Sequence, residues 1–104
     1  MSQDPPTASR RVEILNALGL HLRPADKFVR QALQFASEIR VVYNGQECDG
    51  KSILALSTLA AEQGTVLEVV ARGPDAETAV AALADLVAAR FFEDDEGQSM
   101  ERPS

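Results

Sequence analysis

The sequence predicts one α+β domain, and two kinds of pattern support this prediction. Short segments in which apolar and polar residues alternate indicate half-buried strands, whereas apolar residues three and four positions apart indicate helices. Along the chain these segments follow the order β-α-β-β-α-β-α. Taken alone, that order is typical of a ferredoxin-like fold.

The first two predicted elements are a strand and a helix. Val12 and Ile14 alternate with charged residues in a short strand that ends near Leu15. We then expect a helix that begins just after His21 and has Pro24 in its first turn, where proline is tolerated. The apolar stripe of this helix comprises Ala25, Phe28, Val29, Ala32, Leu33 and Ala36.

The middle of the chain predicts a β-hairpin followed by a short helix. Asn44-Gly45 is preferred in type I′ hairpin turns because both positions need a positive φ, and residues 46–49 form the return strand. Ser52 can cap the short helix, and Gly64 is its expected stop. The apolar residues of the first hairpin strand are Ile39, Val41 and Tyr43, and those of the helix are Ile53, Leu56, Leu59 and Ala60.

The last two predicted elements are a strand over residues 65–72 and a helix that follows Gly73-Pro74. The strand has Leu67, Val69 and Ala71 on one face, and the helix carries Ala76, Ala79, Val80, Leu83, Leu86, Val87 and Phe91. The domain therefore spans residues 11–92. We expect a disordered N-terminal tail over residues 1–10 and an acidic disordered tail over residues 93–104.

Composition and charge exclude several classes of function. The chain has 10 Lys and Arg against 16 Asp and Glu, and the resulting net charge of −6 argues against a DNA or RNA partner. Cys48 is the only cysteine, which excludes an intrachain disulfide and fits a reducing compartment. No apolar run reaches the roughly 18 residues of a membrane span. We therefore expect a cytoplasmic protein without membrane insertion.

One nucleotide-binding motif needs a separate explanation. Residues Gly45 to Ser52 match G-x-x-x-x-G-K-[ST], the phosphate-binding loop of many ATPases. That loop must join a buried strand to a helix, whereas here the same residues form a hairpin turn and its return strand. Glu47 and Asp49 would also place carboxylates where a polyphosphate should lie. We therefore expect no ATP binding.

The candidate for chemistry is His21, the only histidine, at the start of the first helix. A helix N-terminus presents backbone N–H groups and a positive dipole end to an anion, here through Leu22 and Arg23. Arg23 adds a permanent charge with donors matched to phosphate oxygens. A histidine placed in this way is suited to accept a phosphoryl group. The alternative is that His21 only caps the helix and that Arg23 is a solvated surface charge.

A family resemblance decides between these interpretations. The segment GLHLRPA (residues 19–25), followed by NG, KSI and QGT, resembles the histidine-containing phosphocarrier protein HPr of the bacterial phosphoenolpyruvate-dependent phosphotransferase system. The resemblance covers residues 11–92, and Leu22 stands where the family more often has a small or polar residue. It implies an open-faced sandwich with one four-stranded antiparallel sheet, in the order 1-4-2-3, and three helices on one face.

The resemblance also implies the reaction. In this family the histidine that corresponds to His21 is phosphorylated at Nδ1 by enzyme I and passes the group to a IIA-type domain, without metal or other cofactor. Such a protein is a carrier with no independent turnover, and we expect it to be a monomer. Arg23 and the N–H groups of Leu22 and Arg23 would stabilise the phosphoryl group.

Two further sets of residues are assigned by the same resemblance. We expect exposed apolar residues beside the site to dock with the partners, and the candidates are Leu20, Leu22, Ile53 and Leu54; for each, the alternative is core packing. Ser52 matches a serine that a dedicated kinase/phosphorylase modifies in some branches of the family, although helix capping alone explains it. The ending ARFFEDDE resembles the nitrogen-related branch and leaves sugar uptake or regulation open.

A function from another class is also compatible with the residues alone. The domain could be a ligand-binding or dimerising regulatory module in which His21 is incidental. That hypothesis predicts that His21→Ala leaves function unchanged and that a small ligand raises the melting temperature.

Overall fold

A computed structural model describes residues 4–92 of the chain, so the proposed acidic tail over residues 93–104 lies outside the described residues. The elements are β1 (Thr7–Glu13), α1 (Leu22–Ala32), β2 (Glu38–Tyr43), β3 (Gln46–Asp49), α2 (Ile53–Thr58), β4 (Val66–Arg72), α3 (Ala76–Ala88) and a closing 3-10 turn (Arg90–Phe92). Within residues 4–92, no helix has the length and apolarity needed to cross a membrane.

The four strands form one antiparallel sheet in the order β1-β4-β2-β3. This order confirms the open-faced sandwich and shows that element order alone, which suggested a ferredoxin-like fold, was insufficient. The hairpin between β2 and β3 turns at Asn44 and Gly45, whose φ values of 53° and 76° confirm the predicted type of turn.

The core lies between one face of the sheet and the three helices. The sheet contributes Val12, Ile39, Val41, Leu67, Val69 and Ala71, all buried, while their neighbours along the strands are more exposed. The helices contribute Ala25, Phe28, Val29 and Ala32 from α1, Leu56 from α2, and Ala79, Val80, Leu83 and Val87 from α3. The predicted apolar faces of β4 and α3 are confirmed by this burial.

Helix α1 begins where the sequence predicts but ends earlier. Its last residue is Ala32, and Leu33 and Ala36, which were assigned to the buried stripe, are exposed. The carboxylate of Asp75 accepts hydrogen bonds from the backbone N–H groups of Ala36 and Ser37, each 2.9 Å long. These bonds hold the chain outside the helix and direct it into β2, so that Phe35 packs against the core instead.

Three other boundaries differ from the prediction. Strand β1 begins at Thr7, so residues 7–10 belong to the sheet and not to a tail. Helix α2 ends at Thr58, and Ala60, with a φ of 53°, turns the chain before Gly64 is reached. Phe91 is fully buried, as its place in the apolar pattern suggests, but it lies in the 3-10 turn after α3.

Candidate functional site

His21 is the residue at the junction between the loop after β1 and the first turn of α1. Its backbone is extended, with φ −85° and ψ −169°, and its carbonyl oxygen accepts a hydrogen bond from the N–H of Ala25 at 3.0 Å. Within the described residues, its side chain makes no capping hydrogen bond to the helix. The residue is half-buried, and although His21 occupies the N-cap position, its side chain is not what caps the helix.

The loop before His21 is held by contacts that the sequence analysis did not identify. Asn16 is 3% exposed, and its side-chain amide donates to the carbonyl oxygen of Gly19 at 2.6 Å. The N–H of Leu20 donates to the carbonyl oxygen of Ala61 at 2.8 Å. Gly19 has a φ of 73°, and a side chain there would collide with the same carbonyl group. The backbone leading into His21 therefore has little freedom to move.

A shallow depression surrounds His21, with a volume of about 550 Å³. Helix α1 supplies Leu22, Arg23 and Asp26 to its lining, and α2 supplies Ile53. By helix geometry, the N–H groups of the first turn of α1 point out of the helix end beside the imidazole. With the exposed Arg23 next to them, they form a positive region that suits an incoming phosphate.

The predicted docking residues divide into two groups. Leu22 and Leu54 are 66% and 75% exposed, and Ile53 is half-buried at the edge of the depression. Leu20, by contrast, is only 4% exposed and belongs to the core, so its assignment to the docking surface was wrong. Its backbone N–H donates a hydrogen bond to the carbonyl oxygen of Ala61. Leu18, which the sequence analysis did not consider, is 75% exposed in the loop that leads to His21.

The segment that matches a phosphate-binding loop has an ordinary structural role. Gly45 lies in the hairpin turn, and the following residues form β3, as predicted. Ser52 is the N-cap of α2, and its hydroxyl oxygen accepts a hydrogen bond from the N–H of Ala55 at 3.1 Å. The ammonium group of Lys51 donates to the carbonyl oxygen of Phe35 at 2.8 Å. This geometry does not form the strand-loop-helix cradle that a polyphosphate requires.

Fold and site together define a small open-faced α+β sandwich with one histidine at the N-terminus of a helix. The family model described as PTS HPr component phosphorylation site matches residues 8–89. The chain therefore belongs to the HPr family of phosphocarrier proteins.

Individual relatives agree with this assignment. The phosphocarrier protein HPr of Neisseria meningitidis is 46% identical over 82 residues, which are 79% of this chain and 92% of that protein. The crystal structure of HPr-C-His from Thermoanaerobacter tengcongensis superposes with a TM-score of 0.80 at 39% identity, covering 84% of this chain and 98% of that one. An HPr dimer from the same organism has a TM-score of 0.67 at 41% identity, with 79% and 94% coverage.

Proposed function

We propose that this chain carries a phosphoryl group on His21, which it receives from enzyme I and passes to a IIA-type domain of the phosphotransferase system. The phosphocarrier role follows from membership of the family. The assignment to His21 is supported above all by one observation, the half-buried imidazole at the N-terminus of α1, which makes no capping bond to that helix.

The chemistry of the transfer requires little from this chain beyond position and charge. In the neutral tautomer with hydrogen on Nε2, the lone pair of Nδ1 forms the new N–P bond. The bond between phosphorus and the donor atom of enzyme I breaks, and its electron pair returns to that atom. The ring of His21 need not lose a proton. Arg23 and the N–H groups of Leu22 and Arg23 stabilise the charge on the phosphoryl oxygens.

The exposed apolar residues beside His21 provide a surface on which both partners can dock. Leu22 and Ile53 line the depression together with His21, and the exposed Leu54 follows Ile53 in α2. Donor and acceptor would use the same face at different times. As part of this proposal, we expect a monomer that exchanges partners. The cytoplasm is the compartment that we assign to it, and the free thiol of Cys48 suits reducing conditions.

Ser52 is the proposed site of regulation. Its hydroxyl group caps α2 at the edge of the docking surface, one residue before Ile53. A phosphate on this oxygen would add about 1.5 to 2 negative charges there. We expect a serine kinase/phosphorylase that modifies Ser52 to weaken docking to enzyme I, and Ser52→Asp to lower the rate of phosphorylation of His21.

Transfer from labelled phosphoenolpyruvate through enzyme I tests the proposal. The wild type should acquire acid-labile label, and His21→Ala should acquire none while remaining folded by circular dichroism. Equal label on both proteins would show that another residue accepts the phosphoryl group. A folded wild type that stays unlabelled with its cognate enzyme I would favour the regulatory module in which His21 is incidental.

A matched pair of variants tests the docking surface. Leu54→Ala and Val66→Ala both shorten an exposed apolar side chain, but Val66 lies on β4 in the face of the sheet that the helices leave open. Leu54→Ala should raise the KM for the carrier in the enzyme I assay, and Val66→Ala should leave it unchanged. Equal KM values for the two variants would show that Leu54 does not contribute to docking.

A further inference from the structure

The depression that surrounds His21 also contains a carboxylate. Asp26 lies in its lining, and its side chain is 36% exposed. It follows Leu22 by four residues and Arg23 by three, so it shares a face of α1 with both, one helical turn from the proposed phosphate site. A site that holds a phosphoryl group through positive charge thus has a negative charge within it.

One partner of Asp26 lies on the side away from His21. Its Oδ2 accepts a hydrogen bond from Nε of Arg30 at 2.9 Å, and Arg30 is four residues further along α1. Asp26 lines the depression, whereas Arg30 is outside its lining and is 76% exposed. The ion pair therefore has its negative end nearer His21, and its exposed positive end is the one that solvent screens more strongly.

This arrangement affects the two states of the carrier differently. The unphosphorylated ring, when neutral, does not interact with the carboxylate as a charge. A phosphoryl group on the ring carries about two negative charges and is repelled by the carboxylate. A proton that stays on Nε2 offsets one of them, so the phosphorylated side chain gains about one to two net negative charges. We propose that Asp26 destabilises the phosphorylated state and so raises the tendency of the carrier to give its phosphoryl group to the next protein. This inference rests on the proposed function.

The expected size of the effect follows from helix geometry. Asp26 is five positions after His21, so at a rise of about 1.5 Å per residue the two charges lie on the order of 10 Å apart once the side chains are included. Over that distance, one charge acting on one to two charges through water changes an equilibrium constant about two- to fourfold without screening, and by less as salt is added. In this proposal Asp26 acts through its charge, and its role is to set the phosphoryl-transfer potential of the carrier.

The test is the equilibrium between phosphoenolpyruvate and the carrier, measured as the phosphorylated fraction at known ratios of phosphoenolpyruvate to pyruvate with catalytic enzyme I. An equilibrium constant does not depend on how well the carrier docks, so any effect on partner binding drops out. Asp26→Asn keeps the shape of the side chain and removes the charge. Asp85→Asn makes the same change on α3, where Asp85 lines a different depression with β1.

Asp26→Asn should raise the equilibrium constant for phosphorylation about two- to fourfold at very low salt, and the increase should vanish near 1 M salt. Arg30→Gln, which leaves the carboxylate without its counter-charge, should lower the constant, and Asp85→Asn should not change it. Thermal melts show that each variant is folded. The inference would be overturned if Asp26→Asn and Asp85→Asn had equal equilibrium constants for phosphorylation, or if the change in Asp26→Asn did not depend on salt. In either case, label on the wild type would still uphold the proposed function. No label on any variant would overturn both.

Discussion

Replacement of Gly19 by alanine tests how firmly the loop before His21 is held. Gly19 has a φ of 73°, a conformation that costs an L-residue about 1–2 kcal/mol. The new Cβ would also collide with the carbonyl oxygen of Ala61 and lie 2.9 Å from Cα of Glu62. Because both obstacles are backbone atoms, relief requires a shift of the loop, and overpacking of this kind costs about 1–3 kcal/mol. The two contributions together predict a loss of about 2–5 kcal/mol.

Gly45 provides the matched control. Its φ of 76° is almost the same, but an added Cβ meets no atom within 4 Å among the residues that the structure describes. Gly45→Ala should therefore cost only the conformational part, about 1–2 kcal/mol. The difference between the variants isolates the contact with Ala61.

Equilibrium urea unfolding, followed by circular dichroism, measures both losses. We expect Gly19→Ala to lose more stability than Gly45→Ala, with equal m-values. Since the shift would strain the bond between the N–H of Leu20 and Ala61, phosphorylation of His21 should also slow in Gly19→Ala alone. Equal losses of stability in the two variants would refute the close packing of the loop.

Three further predictions concern single groups. Hydrogen bonds from the hydroxyl group of Ser37 and from backbone N–H groups lower the pKa of Asp75 in the folded protein. The stability that these bonds add to the fold is therefore present above the unfolded pKa of about 3.9, and it is lost as the pH falls through the lower folded pKa. Asp75→Asn should therefore lose stability in urea melts at pH 7 and progressively less below about pH 4, and a constant loss would contradict this. Ser52→Ala removes the cap on the N–H of Ala55 and should cost about 1 kcal/mol in the same melts, whereas Ser52→Asp, which keeps a capping oxygen, should cost less. Burial raises the pKa of the Cys48 thiol, so iodoacetamide should alkylate it more slowly at pH 8 than an exposed cysteine, and an equal rate would show that Cys48 is accessible.

The elements predicted best are those whose local signals agree with their packing. Helix α1 begins after His21 because Pro24 and the apolar stripe both favour that start. The hairpin follows from Asn44-Gly45, a dipeptide that is strongly preferred in type I′ hairpin turns. At the site, the position of His21 at a helix N-terminus could be read directly from the sequence.

The errors arise where tertiary contacts override local pattern. The first half of β1 has one buried residue, Ala8, so the sequence shows no alternation of apolar and polar residues there. Pairing with β4 makes this segment a strand. Leu33 fits the apolar stripe of α1, but the helix ends before it. The carboxylate of Asp75, which is distant in sequence, accepts hydrogen bonds from the chain just after Leu33 and holds it outside the helix. Leu20 was placed on the surface because it neighbours His21 in the sequence, whereas in the fold its side chain packs in the core.

The role of Asp26 was also hidden in the sequence. A polar residue in the first turns of an amphipathic helix usually indicates a solvated face. Its place in the depression becomes visible only when Ile53 of α2 is brought against the start of α1. Asn16 was missed for a similar reason, since its hydrogen bond to Gly19 depends on the shape of the loop.

The central claim, that His21 carries the phosphoryl group, is tested most directly by nuclear magnetic resonance of the imidazole ring. His21 is the only histidine, so ¹⁵N-labelled histidine gives signals from this ring alone. After phosphorylation by enzyme I, we expect the Nδ1 signal to shift and to couple to ³¹P. A chain that takes up phosphate while both ring nitrogens keep their original signals would contradict the claim.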